Sequence, residues 1–433
     1  MSPDDEVVSI CRDLLRIDTT NTGDTDTSAG ERVAAEYVAA KLAEVGLTPE
    51  IRESAPGRTS VVARYPGADS DREALLVHGH LDVVPADPAE WSVHPFAGEI
   101  SDGYLWGRGA VDMKDFDAMV LTVVRQWRRA GRVPPRDLVL AFLADEEAGG
   151  RYGAHFLVDN HAELFDGCSE AIGEVGGFSY TVDPNLRLYP VETAQKGIEW
   201  LRLTARGRPG HGSMINDDNA ITALSEAVAR LGRHRFPLVM TDTVRAFLTE
   251  IADALHIELD PDDPELAIAK LGPIAAIIGA TVRNTANPTR LDAGYKENVI
   301  PSRAVATVDC RTLPGQSAVF EAQLRAVIGP DIEIEYIERQ PPLETTFDGA
   351  LVEAMAAALR AEDPGARAVP YMLSGGTDAK AFAKLGIRCF GFSPLRLPPD
   401  LNFSALFHGI DERVPVEGLQ FGVRVLDRFL AAS

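Results

Sequence analysis

An α/β fold is predicted for this 433-residue chain, with a larger domain on a central, mostly parallel sheet and a smaller α+β domain inserted into it. Three observations carry the prediction. Strand and helix signals alternate through residues 1–193, the pattern of a layered parallel sheet. The segment 137–144, DLVLAFLA, reads as a fully buried strand and ends on Asp145, Glu146 and Glu147. Around Thr193–Lys196 the character changes to half-exposed alternation, and the helix/strand alternation resumes after Arg339-Gln-Pro-Pro. The boundaries that follow are 1–193 and 342–433 for the two parts of the larger domain, with 194–341 inserted between them.

In chain order, residues 29–46 place Val33, Tyr37, Val38 and Leu42 on one helical stripe closed by Gly46. ALLVH (74–78) is a strand running into HGHLD, and 114–128 form a helix after the turn at Asp112. In the insertion, 196–207 alternates as a half-exposed strand and 218–231 is helical. Strand 302–311, helix 316–328 and strand 332–338 complete one antiparallel sheet covered by two helices. Residues 236–290 are an extra excursion marked by Pro261, Pro264, Pro273 and Pro288. The last helix spans roughly 416–431.

Composition narrows the partners. A net charge of −23 disfavours nucleic acid and anionic membrane surfaces, which attract basic patches. The start, MSPDDEVVSICRDLL, is acidic and lacks the basic and apolar regions of a signal peptide. No apolar run approaches the length of a membrane span. Cys11, Cys168, Cys310 and Cys389 are far apart and form no CxxC, so four reduced thiols in a cytoplasmic protein are expected.

Five scattered stretches each hold a side chain suited to a divalent metal: His80, Asp112, Glu147, Glu174 and His408. His80 and Asp82 lie two apart at a strand end, so one can ligate while the other accepts the second ring proton and fixes the tautomer. His78 reads as a hydrogen-bonded core histidine. Asp112 follows Gly107 and Gly109, which let the backbone approach a site, and otherwise reads as a helix N-cap. Glu146 and Glu147 are adjacent acids where burial is expected, a costly pair without a cation. On this reading Glu147 ligates, and Glu146 is the free base that deprotonates water and returns the proton to the leaving amine. The charge of two divalent ions is nearly balanced by three carboxylates and one hydroxide.

HGHLDVVP (78–85), WSVHPFAGEISDGYLWGRGAVDMK (91–114), DEEAGG (145–150), GRPGHGS (207–213), ENVIPSRAVATVDCR (297–311) and SGGTDA (374–379) together resemble the M20 metallopeptidases. The similarity runs in the family's order from about residue 10 to 430. The resemblance implies a zinc-exopeptidase-like catalytic domain and an inserted two-layer, ferredoxin-like lid and dimerisation domain. It implies two divalent ions, zinc before cobalt or manganese, on His80, Asp112 (bridging), Glu147, Glu174 and His408, with Asp82 orienting and Glu146 as base. It adds His211 and Asn298 as oxyanion donors, His211 reaching the partner subunit of a homodimer. It also adds Arg311 and the Gly375-Gly376-Thr377 loop as holders of a substrate carboxylate. Two departures stand out: Asp115 where many relatives have a small residue after DMK, and the long 236–290 excursion.

The implied reaction is hydrolysis of an amide beside a free carboxylate, in a dipeptide, an N-acyl amino acid or a C-terminal residue. The long insertion leans towards a dipeptidase or aminoacylase-like member. Alternatives are a desuccinylase or acetylornithine deacetylase-like enzyme, and a non-catalytic relative that binds metal or ligand. A serine hydrolase is disfavoured, since GxSxG is absent and GHGS (210–213) offers no nucleophile elbow.

Overall fold

The most apolar segment forms the middle of the main sheet in the computed structural model, which describes residues 2–258 and 279–433. Leu138–Leu143 is buried at every position, with sheet neighbours on both edges and Leu138, Leu140 and Phe142 in the main apolar core. Each large apolar side chain so buried contributes roughly 1.5–3 kcal/mol relative to exposure. The sheet runs in the order Glu50–Ala55, Arg58–Tyr65, Leu138–Leu143, Ala74–His80, Cys168–Gly173, Arg388–Gly391 and Leu186–Gln195. Leu138–Leu143, Ala74–His80, Cys168–Gly173 and Arg388–Gly391 are mutually parallel, and the Glu50–Ala55/Arg58–Tyr65 hairpin adds antiparallel edge strands. The parallel register aligns the carboxyl ends of the inner strands, so the residues that follow them converge.

The expected helices 29–46, 114–128 and 416–431 are Arg32–Ala43, Lys114–Arg129 and Val416–Ala432. An N-terminal helix, Pro3–Leu15, was not among the sequence expectations. Ser2 caps it by accepting a hydrogen bond from the Asp5 amide. At its far end the buried Lys114 Nζ donates to the carbonyls of Leu14 (3.1 Å) and Ile17 (2.9 Å). A cation is favourable at a helix C-terminus, and burial pushes this ammonium down to about 8.

The chain divides into two compact units. The first comprises Met1–Thr193, Thr345–Pro370 and Thr377–Ser433, and the second Ala194–Glu344 with Tyr371–Gly376. In the second unit an antiparallel sheet has the order Thr285–Ala293, Arg303–Thr312, Gly197–Arg206, Glu333–Gln340. Helices Ala220–Arg233 and Ser317–Ile328 cover it through Leu224, Leu231, Phe320 and Leu324, which share a core with Leu201, Leu203 and Val308. The excursion at 236–290 contains a helix, Asp242–Leu255, capped by Thr241. Pro261, Pro264 and Pro273 of that excursion lie outside the described residues. Cys11, Cys168, Cys310 and Cys389 are all free thiols, and among the described residues no helix is long and apolar enough to cross a membrane.

Candidate active site

Strand ends and tight turns deliver the acidic and imidazole side chains. His80 is the last residue of Ala74–His80, and Glu174 follows directly on Cys168–Gly173. After Leu138–Leu143 the chain turns through Asp145 in the left-handed region (φ 69°) into a single turn, Glu146–Ala148. Asp112 lies at the end of a turn in which Gly109 has φ 89°. A side chain on Gly109 would meet Val83 Cγ1 at 2.8 Å, so only glycine lets this turn close as it does. His408 is itself left-handed, at φ 57°.

These five converge. Asp112 Oδ1 is 3.0 Å from His80 Nε2, and Asp112 Oδ2 is 3.2 Å from His408 Nε2. Glu174 Oε2 lies 3.4 Å from His80 Nε2 on one side. On the other, Glu147 Oε2 lies 3.1 Å from His408 Nε2. Asp112 therefore turns one oxygen to each imidazole, the posture of a carboxylate that bridges two ions. Donor atoms of His80, Glu146 and Glu174, and of His80, Asp112 and Glu147, form triads within 4.8 Å. Glu146 Oε2 is 3.9 Å from His80 Nε2, so distance alone admits it to the first triad.

The electrostatics follow from crowding four carboxylates around two imidazoles. Burial raises Glu146 well above the usual carboxylate range, and Glu174 beside it adds to the effect. Burial and Asp112 push Glu147 up to about 7. Hydrogen bonds to Asp112 and Glu147 push His408 up to about 10. Burial opposes a charge on His80, yet Glu174, Asp112 and Asp82 hold its proton affinity well above normal. The raised proton affinities reflect negative charge crowded together. Carboxylate and imidazole donors at this spacing suit first-row divalent ions, so the residues present fit a pair of them.

Asp82, fully buried, supports the cluster through the main chain. Its carboxylate accepts the amides of Glu146 (3.0 Å) and Glu147 (3.1 Å). The expected tautomer-fixing contact is shifted: His80 Nδ1 is 3.0 Å from the Asp82 carbonyl and 3.6 Å from its carboxylate. The Asp82 carbonyl is the nearer partner of the ring nitrogen, and the carboxylate accepts the two amides and the Asn21 carboxamide. His78 is a core residue as expected, but not a hydrogen-bonded one. Both ring nitrogens lack partners among the described residues, the ring packs tilted at 50° against Phe382 with centroids 4.9 Å apart, and burial pushes it down to about 3. Nor does Asp112 cap the following helix, whose N-cap position is Met113.

Glu412 was missed by sequence reasoning. It is fully buried and accepts from Arg108 Nη1 (2.7 Å), the Gly109 amide (3.1 Å) and the Val111 amide (2.8 Å). It thus ties the segment carrying His408 to the turn carrying Asp112. The only available signal was its position four residues after His408 in LFHGIDE. Asp115, the departure noted above, is 1% exposed with one carboxylate oxygen unpartnered, and burial holds its carboxyl well above the usual range.

In the second unit, His211 and Asn298 come together where the short strand Gly210–His211 pairs with Val299–Ile300. The Asn298 carbonyl accepts the Gly212 amide at 2.9 Å, and His211 Nδ1 sits 2.8 Å from Ser213 Oγ with the ring exposed. Arg311 is engaged by Asp309, which takes its Nε at 2.7 Å and its Nη2 at 3.0 Å. Gly375 and Gly376 lie in the same unit as these residues. Thr377 belongs to the first unit, where its hydroxyl accepts the Ala379 amide at 3.2 Å.

A mostly parallel α/β sheet around which strand ends and turns gather four carboxylates and two imidazoles fits a metal-dependent hydrolase. Residues 76–432 match the model of Peptidase family M20/M25/M40, and the chain belongs to that family. It is 28% identical over 395 residues to human aminoacylase-1, covering 90% of this chain and 87% of that protein. It is 26% identical over 440 residues to the N-fatty-acyl-amino acid synthase/hydrolase PM20D1 of Xenopus tropicalis, covering 97% and 84%. Among solved structures, the M20 family metallo-carboxypeptidase Sso-CP2 of Sulfolobus solfataricus superposes with a TM-score of 0.72 at 19% identity, covering 99% of both chains. The Bacillus subtilis YXEP protein, described as a dinuclear metal binding peptidase, superposes at 0.63 with 15% identity, covering 99% and 98%.

Proposed function

We propose that this protein is a dinuclear metal amidohydrolase that releases an amino acid from an N-acyl amino acid or a dipeptide. The observation that carries the reading is Asp112, with one oxygen towards His80 and the other towards His408, beside Glu146, whose Oε2 stands off at 3.9 Å from His80 Nε2. Similarity over nearly the whole chain to aminoacylase-1 and to an N-fatty-acyl-amino acid hydrolase supports the N-acyl amino acid class. Zinc is the ion best matched to a ligand set of two imidazoles and three carboxylates, with cobalt or manganese as substitutes. We place the protein in the cytoplasm, as its free thiols suggest.

When bound, such ions supply Lewis acidity: they polarise the amide carbonyl and make water acidic enough to be deprotonated near neutral pH. Glu146 accepts the proton of the attacking water. Its carboxylate, 3.9 Å from His80 Nε2, lies at the edge of the donor cluster where it can reach a water held there. As the C–N bond breaks, Glu146 returns that proton to the departing amine. His211 and Asn298 donate to the carbonyl oxygen as it becomes negative. They do so from the inserted segment 194–341, read as a lid and dimerisation domain in which His211 serves the partner of a homodimer. Arg311, with Asp309 on its Nε–Nη2 edge, offers Nη1 to the substrate carboxylate, and Gly375, Gly376 and Thr377 supply main-chain donors beside it.

A panel of N-acyl amino acids and dipeptides, each assayed beside its carboxamide derivative, tests this. Turnover of the free acids is expected, with the carboxamides poor substrates. Arg311→Lys should raise KM for the acids by about 10–100-fold, since a charged hydrogen bond contributes roughly 1.5–3 kcal/mol. Hydrolysis of none of the free acids by zinc- or cobalt-loaded protein would favour a ligand-binding role instead.

A further inference from the structure

Behind the cluster lies a second layer of buried polar side chains that no motif reading reached. Arg58 and Glu31 form an ion pair at 2.6 Å with 1% and 0% exposure. Arg58 Nη2 also donates to Asn21 Oδ1 at 2.8 Å and Ser28 Oγ at 2.9 Å. Asn21, itself 4% exposed, takes a further hydrogen bond on Oδ1 from the Gly23 amide at 2.9 Å. Its Nδ2 donates to Asp82 Oδ2 at 2.8 Å and to Asp145 Oδ1 at 3.1 Å. The orientation of this carboxamide is dictated by charge. A flip would set its NH2 against the guanidinium and its carbonyl against two carboxylates.

Those two carboxylates control the turn that carries Glu146 and Glu147. Asp82 accepts both of their amides, and Asp145 Oδ2 accepts the Tyr152 amide at 2.9 Å where the turn ends. Asp82 and Asp145 are 0% and 2% exposed, and Arg58 reaches Asp145 only at 3.9 Å. Asn21 is therefore the donor the two acids share. We propose that Asn21, oriented by Arg58, is a positioning residue of the metal centre: by holding Asp82 and Asp145 together it fixes Glu147 as a ligand and Glu146 as the base. This rests on the dinuclear reading of the site.

The test uses full-length parent, Asn21→Ala and Asn21→Asp proteins. Zinc affinity is read by competition with a chromophoric chelator, kcat and KM on an N-acyl amino acid, and the melting temperature in the metal-free state. Both variants should lose about 10–100-fold in zinc affinity, the usual effect of removing a residue that orients ligands. Their kcat should fall by at least as much while KM stays within about threefold, because Asn21 is buried and its carboxamide is taken up by protein partners. Asn21→Asp, nearly the same size, should be the worse of the two, since it puts a third carboxylate against Asp82 and Asp145. A purely structural role would lower the metal-free melting temperature and leave zinc affinity and kcat at parental values; that result would overturn the proposal. Parent protein that binds no zinc would instead sink the dinuclear reading, and this proposal with it.

Discussion

Glu146→Gln is expected to lower kcat by about 10²–10⁴-fold while both metal ions stay bound. The carboxamide has the size of the carboxylate, and the main-chain hydrogen bond from residue 146 to Asp82 does not involve the side chain. What disappears is the ability to take a proton from water and return it to the leaving nitrogen. KM should change little, because the loss falls in the transition state. Kinetics paired with metal analysis of the purified variant read both halves of this expectation. Loss of one ion would show that Glu146 is a ligand, as its place in the His80–Glu146–Glu174 triad allows on distance.

Asp112→Asn is expected to be as damaging for a different reason. Each oxygen of Asp112 faces its own imidazole, and asparagine keeps only one oxygen donor. At most one ion should then remain tightly held, and metal analysis should fall from about two per chain towards one or none. Losing several kcal/mol of Lewis-acid stabilisation corresponds to a drop in kcat on the order of 10²–10³-fold or more. The metal-free variant should still fold, because the anchors of its turn, Glu412 and Arg108, are untouched. Retention of both ions with near-parental turnover would remove Asp112 from the bridging role.

The contrast between these residues and Asn21 shows what a sequence can reveal about such a site. His80, Asp112, Glu147, Glu174 and His408, which the structure gathers, were each open to an ordinary reading as a polar turn or helix cap. Only the set together and the family resemblance pointed to metal ligation. The inner strands were legible from continuous burial and the inserted sheet from alternation. Asn21, Arg58 and Glu412 act on main-chain amides and on other side chains. Glu412 meets Val111 across 301 residues of sequence, and no local pattern records such a contact. Asp309 stands two residues from Arg311 on the same strand face, so that pairing was available from periodicity and was not drawn. The environment of His78 was invisible for another reason. A histidine beside a ligand histidine suggests hydrogen bonding, whereas its neighbours are Gly173 and the Phe382 ring.

The most direct measurement is a back-titration. Protein stripped with a chelator and then freed of it is titrated with zinc while release of free amino acid from an N-acyl amino acid is followed. Stripped protein should be inactive, and activity should rise to a plateau at about two equivalents of zinc per chain, with the Glu146→Gln variant binding the same amount and staying silent. Full turnover by the stripped protein, or a plateau at one equivalent, would contradict a dinuclear centre bridged by Asp112.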